Sequence, residues 1–176
     1  MPQLYHAGFV CAKLAAVGGY VRRRFVRLSI GALVVAVSSF AADPFYLGTW
    51  KIDSAVVAPW VESGHQPRPE EMKSLVGKIV VFKANEITGP RQVACKGPNY
   101  KVVESPVEGL FQGAFDEMHR ENKSVDPAKL AAQVGFQGKK WKTLETGCAT
   151  ELDFHFTDPN TSKFGLNDYV YTLKKQ

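Results

Sequence analysis

Between Glu151 and Phe156 the chain alternates without a break: Leu152, Phe154 and Phe156 are apolar, and Glu151, Asp153 and His155 are polar. Successive side chains of a strand point to opposite faces, so this period of two calls for a strand with one face in a core and the other toward water. Register is then tightly specified, because a slip of one residue would drive Asp153 and His155 into the core. The expectation is that Glu151, Asp153 and His155 share a solvated face while the three large apolar side chains anchor the other.

Strand chemistry recurs along the chain. Residues 45–52 follow Pro44 and are rich in aromatic and β-branched side chains; residues 76–83 give a second candidate, which runs into a turn at 87–90. Residues 92–95 and 100–104 flank a Lys-Gly-Pro-Asn turn and read as a hairpin. Residues 142–145 and 148–156 flank Thr146-Gly147 in the same way, and after a turn at 158–161, residues 162–166 and 169–173 close on each other around Asn167-Asp168. Helix signals are fewer. Asp126 stands at an N-cap position, Pro127 at the first helical position and Gly135 past the end. Residues 68–75 give a second, two-turn helix with Glu70 and Glu71 at its positive end. Residues 116–121 are mixed in charge and read as a solvated face. Short, regularly spaced strands with one or two short helices indicate a mainly β fold, a small antiparallel β-barrel.

Charge divides the chain in two. Lys13, Arg22, Arg23, Arg24 and Arg27 precede any acid, and they account for the whole net charge of +5; from Ala42 onward 17 basic residues face 17 acidic ones. The basic character therefore belongs to the N-terminal segment and does not describe a nucleic-acid surface. Residues 28–37 are apolar, about half the roughly 20 residues a membrane-spanning helix needs, and Ser39-Phe40-Ala41 supplies small residues at the positions a signal peptidase reads. Residues 1–41 are expected to be a cleavable signal peptide, with residues 42–176 as a single exported domain in the periplasm or beyond. Arg22, Arg23, Phe25, Val26 and Arg27 also fit a twin-arginine signal, so the general secretory and twin-arginine routes both stay open.

The cysteines agree with export. Cys11 lies in the leader, which leaves Cys95 and Cys148 as an even pair bound for an oxidising compartment. A bond between them closes a loop of more than fifty residues, for which chain entropy gives roughly 4 kcal/mol.

Gly48-Thr49-Trp50, just after the expected mature N-terminus, resembles the Gly-x-Trp of lipocalin-type (calycin) barrels, in which the first strand enters the barrel and its Trp closes one end. Asp168-Tyr169 resembles that family's Asp-Tyr motif at a later position. Where the family stacks a C-terminal Arg over the Trp, this chain has only Lys174 and Lys175. The resemblance implies a lipocalin-like barrel that carries a small apolar or amphipathic ligand. The chain is also similar to small exported bacterial β-barrels that inhibit cell-wall hydrolases, which implies an envelope protein as partner.

Chemistry is sparse. No Gly-x-Ser-x-Gly elbow, His-x-His, His-Glu-x-x-His, phosphate loop or dinucleotide fingerprint occurs, so no cofactor and no metal are expected. Asp153 and His155, two residues apart on one strand face and about 7 Å from each other, form the one candidate acid/base pair, and they would need further polar groups from another strand. Trp60, in a Pro-Trp-Val loop, is placed to cap a barrel mouth or meet a partner. Lys139, Lys140 and Lys142 surround Trp141, a combination suited to an anionic envelope polymer or an acidic partner patch. The sequence therefore points to a non-enzymatic binding protein, with Trp60, Lys140, Trp141, Asp153 and His155 as its candidate binding residues. An inhibitor or immunity protein against a wall-degrading enzyme, and a small enzyme using Asp153 and His155, are the alternatives.

Overall fold

The computed structural model describes residues 44–176; the expected leader, with Ala42 and Asp43, lies outside the described residues. Nine strands carry the fold: β1 (Gly48–Val57), β2 (Ile79–Phe82), β3 (Glu86–Thr88), β4 (Cys95–Lys96), β5 (Lys101–Pro106), β6 (Lys140–Glu145), β7 (Asp153–Asp158), β8 (Thr161–Leu166) and β9 (Tyr169–Lys175). Three helices interrupt them: α1 (Pro69–Leu75), α2 (Ala114–Glu121) and α3 (Pro127–Gln133), with an irregular 3-10 segment at Val107–Gly113. The strands form one sheet in the order β4-β3-β2-β1-β9-β8-β7-β6-β5, with every neighbouring pair antiparallel. It curls into a half-barrel. The first and last of these described strands, β1 and β9, pair at its centre, and β4 and β5 are its edges.

The disulfide forms as expected. Cys95 on edge strand β4 is bonded to Cys148 in the turn between β6 and β7, with an S–S distance of 2.05 Å. It therefore spans the gap between the two ends of the strand order, where the curl brings them together. Asn99 and Tyr100 reinforce that closure: the Asn99 amide donates to the Thr146 carbonyl, and the Tyr100 hydroxyl donates to the Lys83 carbonyl at 3.0 Å.

Local signals account for several elements. Asp126 caps α3 by accepting from the amides of Ala128 and Lys129, and Gly135 follows the helix at φ 85°, a left-handed conformation that suits glycine. The β8–β9 hairpin turns at Asn167-Asp168; β6 and β7 also pair, but across residues 146–152, with the turn at 149–150 and residues 148–152, expected as strand, outside β7. Other expectations fail. Residues 92–95 and 100–104 do not form a hairpin: β4 pairs back with β3 through Ile87 and Cys95, while β5 crosses to β6. Gly97, left-handed and donating its amide to the Asn85 carbonyl, holds the chain against the β3 side before Pro98 redirects it. Residues 87 and 88, expected at the start of a turn, extend as part of β3. Residues 116–121, expected as a solvated stretch, belong to α2, whose Phe115 is buried.

Apolar side chains fill both faces of the sheet. The larger cluster draws on β1, β2, β3, β6, β7, β8 and β9 and so lies inside the curl; its members include Trp50, Phe82, Leu144, Phe154, Phe156, Phe164 and Tyr171. Their rings touch in sequence, with Phe82 4.9 Å from Phe154, Phe154 5.4 Å from Phe164, and Phe164 stacked on Tyr171 at 5.1 Å. The second cluster lies outside the curl, where Leu110, Phe111, Phe115, Ala131, Val134 and Phe136 from the helical insertion cover Trp141 and Val170 of the sheet.

One end of the interior is shut by residues 45–50, at the entry to β1. The Trp50 indole N–H donates to the Tyr46 carbonyl at 2.9 Å, and Phe45 meets Phe156 edge to face. Lys175 donates to the Phe45 carbonyl at 2.6 Å, and its ammonium sits 5.5 Å from the Trp50 ring. Lys175 thus ties β9 to the residues that precede β1 and covers the Trp50 ring.

Candidate binding surface

The strand from Asp153 to Asp158 places its apolar residues as expected, but its other face is not wet. Leu152, Phe154 and Phe156 are buried in the interior cluster, and His155 is 0% exposed. The reason is the helical insertion, which lays Phe111 and Phe136 across that side with ring centroids 5.0 and 6.3 Å from the imidazole. His155 is therefore a core residue and not part of a solvated face. Its Nε2 accepts the Phe111 amide at 2.9 Å, which places the ring proton on Nδ1, where it donates to the Thr143 hydroxyl 2.8 Å away. Burial pushes the imidazole down to about 3, so it is neutral at ordinary pH.

Asp153 does not bond to it. The Asp153 carboxyl is half-buried and raised above its usual range, first by burial and then by the neighbouring charge of Glu145, with a Gln112 hydrogen bond opposing. Glu151 precedes the strand, exposed and at φ 53°, while Gln112 donates to its carbonyl at 3.0 Å. With both ring nitrogens of His155 committed to protein partners, Asp153 and His155 are not assembled as an acid/base unit. His65 pairs instead with Asp168 at 2.9 Å, and His119 bonds to the Val125 carbonyl. Among the described residues no group of three His, Cys, Asp or Glu side chains is placed to hold a metal ion.

Trp60 anchors a loop. Its indole N–H donates to the Asn167 carbonyl at 2.8 Å, and its ring packs on Phe111 and Phe115. Gly165 makes room for it: a Cβ there would lie 2.9 Å from the far edge of the indole. Trp60 still lines a shallow cleft of about 220 Å³ with Val61, Glu62, His65 and Asp168. It is at a different place from the lysine cluster, so the structure does not gather all the expected binding residues into one site.

Lys140 and Trp141 do belong together. β6 alternates its side chains, placing Lys142 and Leu144 toward the interior and Trp141 and Thr143 toward the outer cluster. At the start of this strand, Lys140, Trp141 and Lys142 line a cleft of about 330 Å³ with Phe45, Phe156, Asp158 and others. The Lys142 ammonium lies 4.9 Å from the Phe45 ring, within cation–π range. Trp141 is 7% exposed and stacks edge-on to Phe136, so its body is structural and only its rim reaches the cleft. Burial opposes ionisation of Asp158, but the backbone amides of Asn160 and Thr161, the Thr161 hydroxyl and the charge of Lys174 outweigh it and hold the carboxyl below its usual range. Lys139 faces a second cleft of about 240 Å³ under α3, and Trp141 is the wall between the two.

Phe45, Phe156 and Asp158 were not among the residues expected at a site. Counting the β6–β7 register would have found Phe156, which stands directly opposite Lys142. Phe45 lies far away in sequence, and no local pattern brings it there. No family model, no curated protein and no solved structure matches the chain.

Proposed function

We propose that the chain is a non-enzymatic binding protein of the cell envelope, exported by its N-terminal leader and built on a lipocalin-like barrel that works through its outer surface. The observation that carries this reading is the aromatic packing of the interior. Trp50, Phe82, Phe154, Phe156, Phe164 and Tyr171 occupy the space where a barrel carrier would hold its ligand. Lipocalin-like placement is supported by Trp50, which follows Gly48-Thr49 on the first strand and lies beneath Lys175 at the closed end.

The contact surface we assign is the cleft of Lys140, Trp141 and Lys142, which joins cations to an apolar floor and suits an anionic envelope component. An inhibitor or immunity protein against a wall-degrading enzyme is the second reading, favoured by the filled interior and by the surface clefts at Trp60 and Trp141. An enzyme built on Asp153 and His155 would have no accessible base, since His155 is fully enclosed. The test is capture of partners from envelope extract by the purified protein and by Lys140→Gln/Lys142→Gln, with native mass spectrometry for retained small molecules. The reading expects a partner retained by the unaltered protein and lost by the double variant. A small apolar molecule retained equally by both would overturn it in favour of an interior carrier.

A further inference from the structure

Three kinds of surface meet in the cleft at Lys140. Phe45, Trp141 and Phe156 make an apolar aromatic floor, Lys140 and Lys142 supply positive charge, and Asp158, Thr157 and Gln137 line it with hydrogen-bonding groups. Among the described residues, neither of the two lysines forms an ion pair. Asp158 is already engaged elsewhere: its carboxylate accepts the Asn160 amide at 2.8 Å, and Lys174 lies near it. The cleft therefore offers two cations without an internal counter-ion, beside an oriented carboxylate.

We infer that this cleft binds an anionic sugar, with the carboxylate or phosphate of the ligand between Lys140 and Lys142 and its hydroxyls against Asp158, Thr157 and Gln137. The inference rests on the reading of this cleft as the contact surface. Competing occupants fit less well. A wholly apolar molecule would strip water from two ammonium groups and a carboxylate without replacing their hydrogen bonds. A neutral sugar would make no use of the lysines. An acidic peptide would neutralise the lysines but would bring its carboxylates against Asp158, a like-charge contact that disfavours binding. A hydroxylated anion uses all three surfaces: charge for the lysines, donors for the Asp158 carboxylate, and the C–H face of a sugar ring for the aromatic floor. The volume of about 330 Å³ is at the lower end of small-molecule pockets, which run from roughly 300 to 1,000 Å³, and suits one or two rings of a longer sugar chain.

The test is calorimetric titration of the purified protein with trigalacturonic acid, neutral maltotriose and hexaglutamate. The expected result is that trigalacturonic acid binds, that added salt weakens it, and that maltotriose and hexaglutamate bind about tenfold more weakly or not at all. Lys140→Gln/Lys142→Gln should cost about tenfold or more in affinity, with an unchanged circular dichroism spectrum. Asp158→Asn is the discriminating variant: it should weaken the sugar, which loses a charged acceptor, whereas it would tighten an acidic peptide by removing repulsion. Hexaglutamate binding as well as trigalacturonic acid, or tighter sugar binding by Asp158→Asn, would overturn the inference. If trigalacturonic acid does not bind but the double lysine variant still loses a partner from envelope extract, the sugar is wrong and the surface stands. If the double variant keeps everything the unaltered protein captures, the surface itself is wrong.

Discussion

The amide of Phe111 and Nε2 of His155 lie 2.9 Å apart, and this bond pins a left-handed stretch of backbone to strand β7. Phe111 and Gln112 stand at φ 51° and 56°, a region that costs a non-glycine residue about 1–2 kcal/mol. His155 thus supplies the acceptor that makes this conformation tolerable in a dry interior, and because the Phe111 amide can only donate, the ring proton is left on Nδ1, facing the Thr143 hydroxyl.

Truncating His155 should unfold a substantial fraction of the protein's stability. His155→Ala leaves a cavity and an unpartnered amide, and we expect a loss of about 2–4 kcal/mol by urea denaturation, comparable with the roughly 3–5 kcal/mol expected for Phe154→Ala. A loss of a few tenths would mean that the outer cluster does not depend on the imidazole.

Stability should also fall with acid in a window set by this histidine. Its pKa is depressed to about 3 in the folded state against about 6.5 unfolded, so below pH 6.5 the unfolded chain binds a proton that the native state does not. Stability is full above about pH 6.5 and declines as pH drops toward 3, by a few kcal/mol over the whole interval. Urea midpoints at pH 7, 5.5 and 4 measure the slope, and His155→Asn should flatten it.

Reduction or Cys95→Ser/Cys148→Ser should remove about 2–4 kcal/mol while leaving the strand signal in circular dichroism, because the bond restrains a 53-residue separation while the aromatic side chains of the interior stay in place. Free thiol titrating in unreduced, denatured protein would show that the bond does not form.

Lys175→Met should loosen the closed end of the barrel. It removes the hydrogen bond to the Phe45 carbonyl and the cation beside Trp50, together worth about 1–2 kcal/mol. Faster hydrogen exchange at Tyr46 to Leu47, with little change in β7, is the expected signature.

Gly165→Ala should destabilise by about 1–3 kcal/mol, since the added methyl meets the Trp60 indole at 2.9 Å and the Phe111 ring at 3.1 Å. A Trp60→Phe background should recover part of that loss, which would locate the clash.

What could be read from the sequence was whatever a short window contains. The alternation around Phe154 and Phe156, the Asp126-Pro127 helix start and the Asn167-Asp168 hairpin each carry their own signal, and each is found where it was expected. The burial of His155 carries none, because the side chains that cover it come from Phe111 and Phe136, which lie outside any strand. Residues 116–121 look solvated because a helix that lies on a sheet needs only a narrow apolar stripe, here led by Phe115. The cleft was half legible: Lys140 and Trp141 announce themselves as neighbours, whereas Phe45 joins them only through the curl of the sheet.

The order of the strands has a consequence for how the molecule is made. Strands β1 to β4 form one run of neighbours and β5 to β8 another, and the seam between them is β9 lying against β1. β9, the last of these nine strands to be synthesised, is thus the keystone, and until it arrives the sheet exists only as two unjoined panels. Loss of residues 169–175 would not trim an edge but split the sheet down its middle. A new pair of ends placed between β4 and β5, where the sheet already stops, should by the same logic be far better tolerated than any clipping of β9.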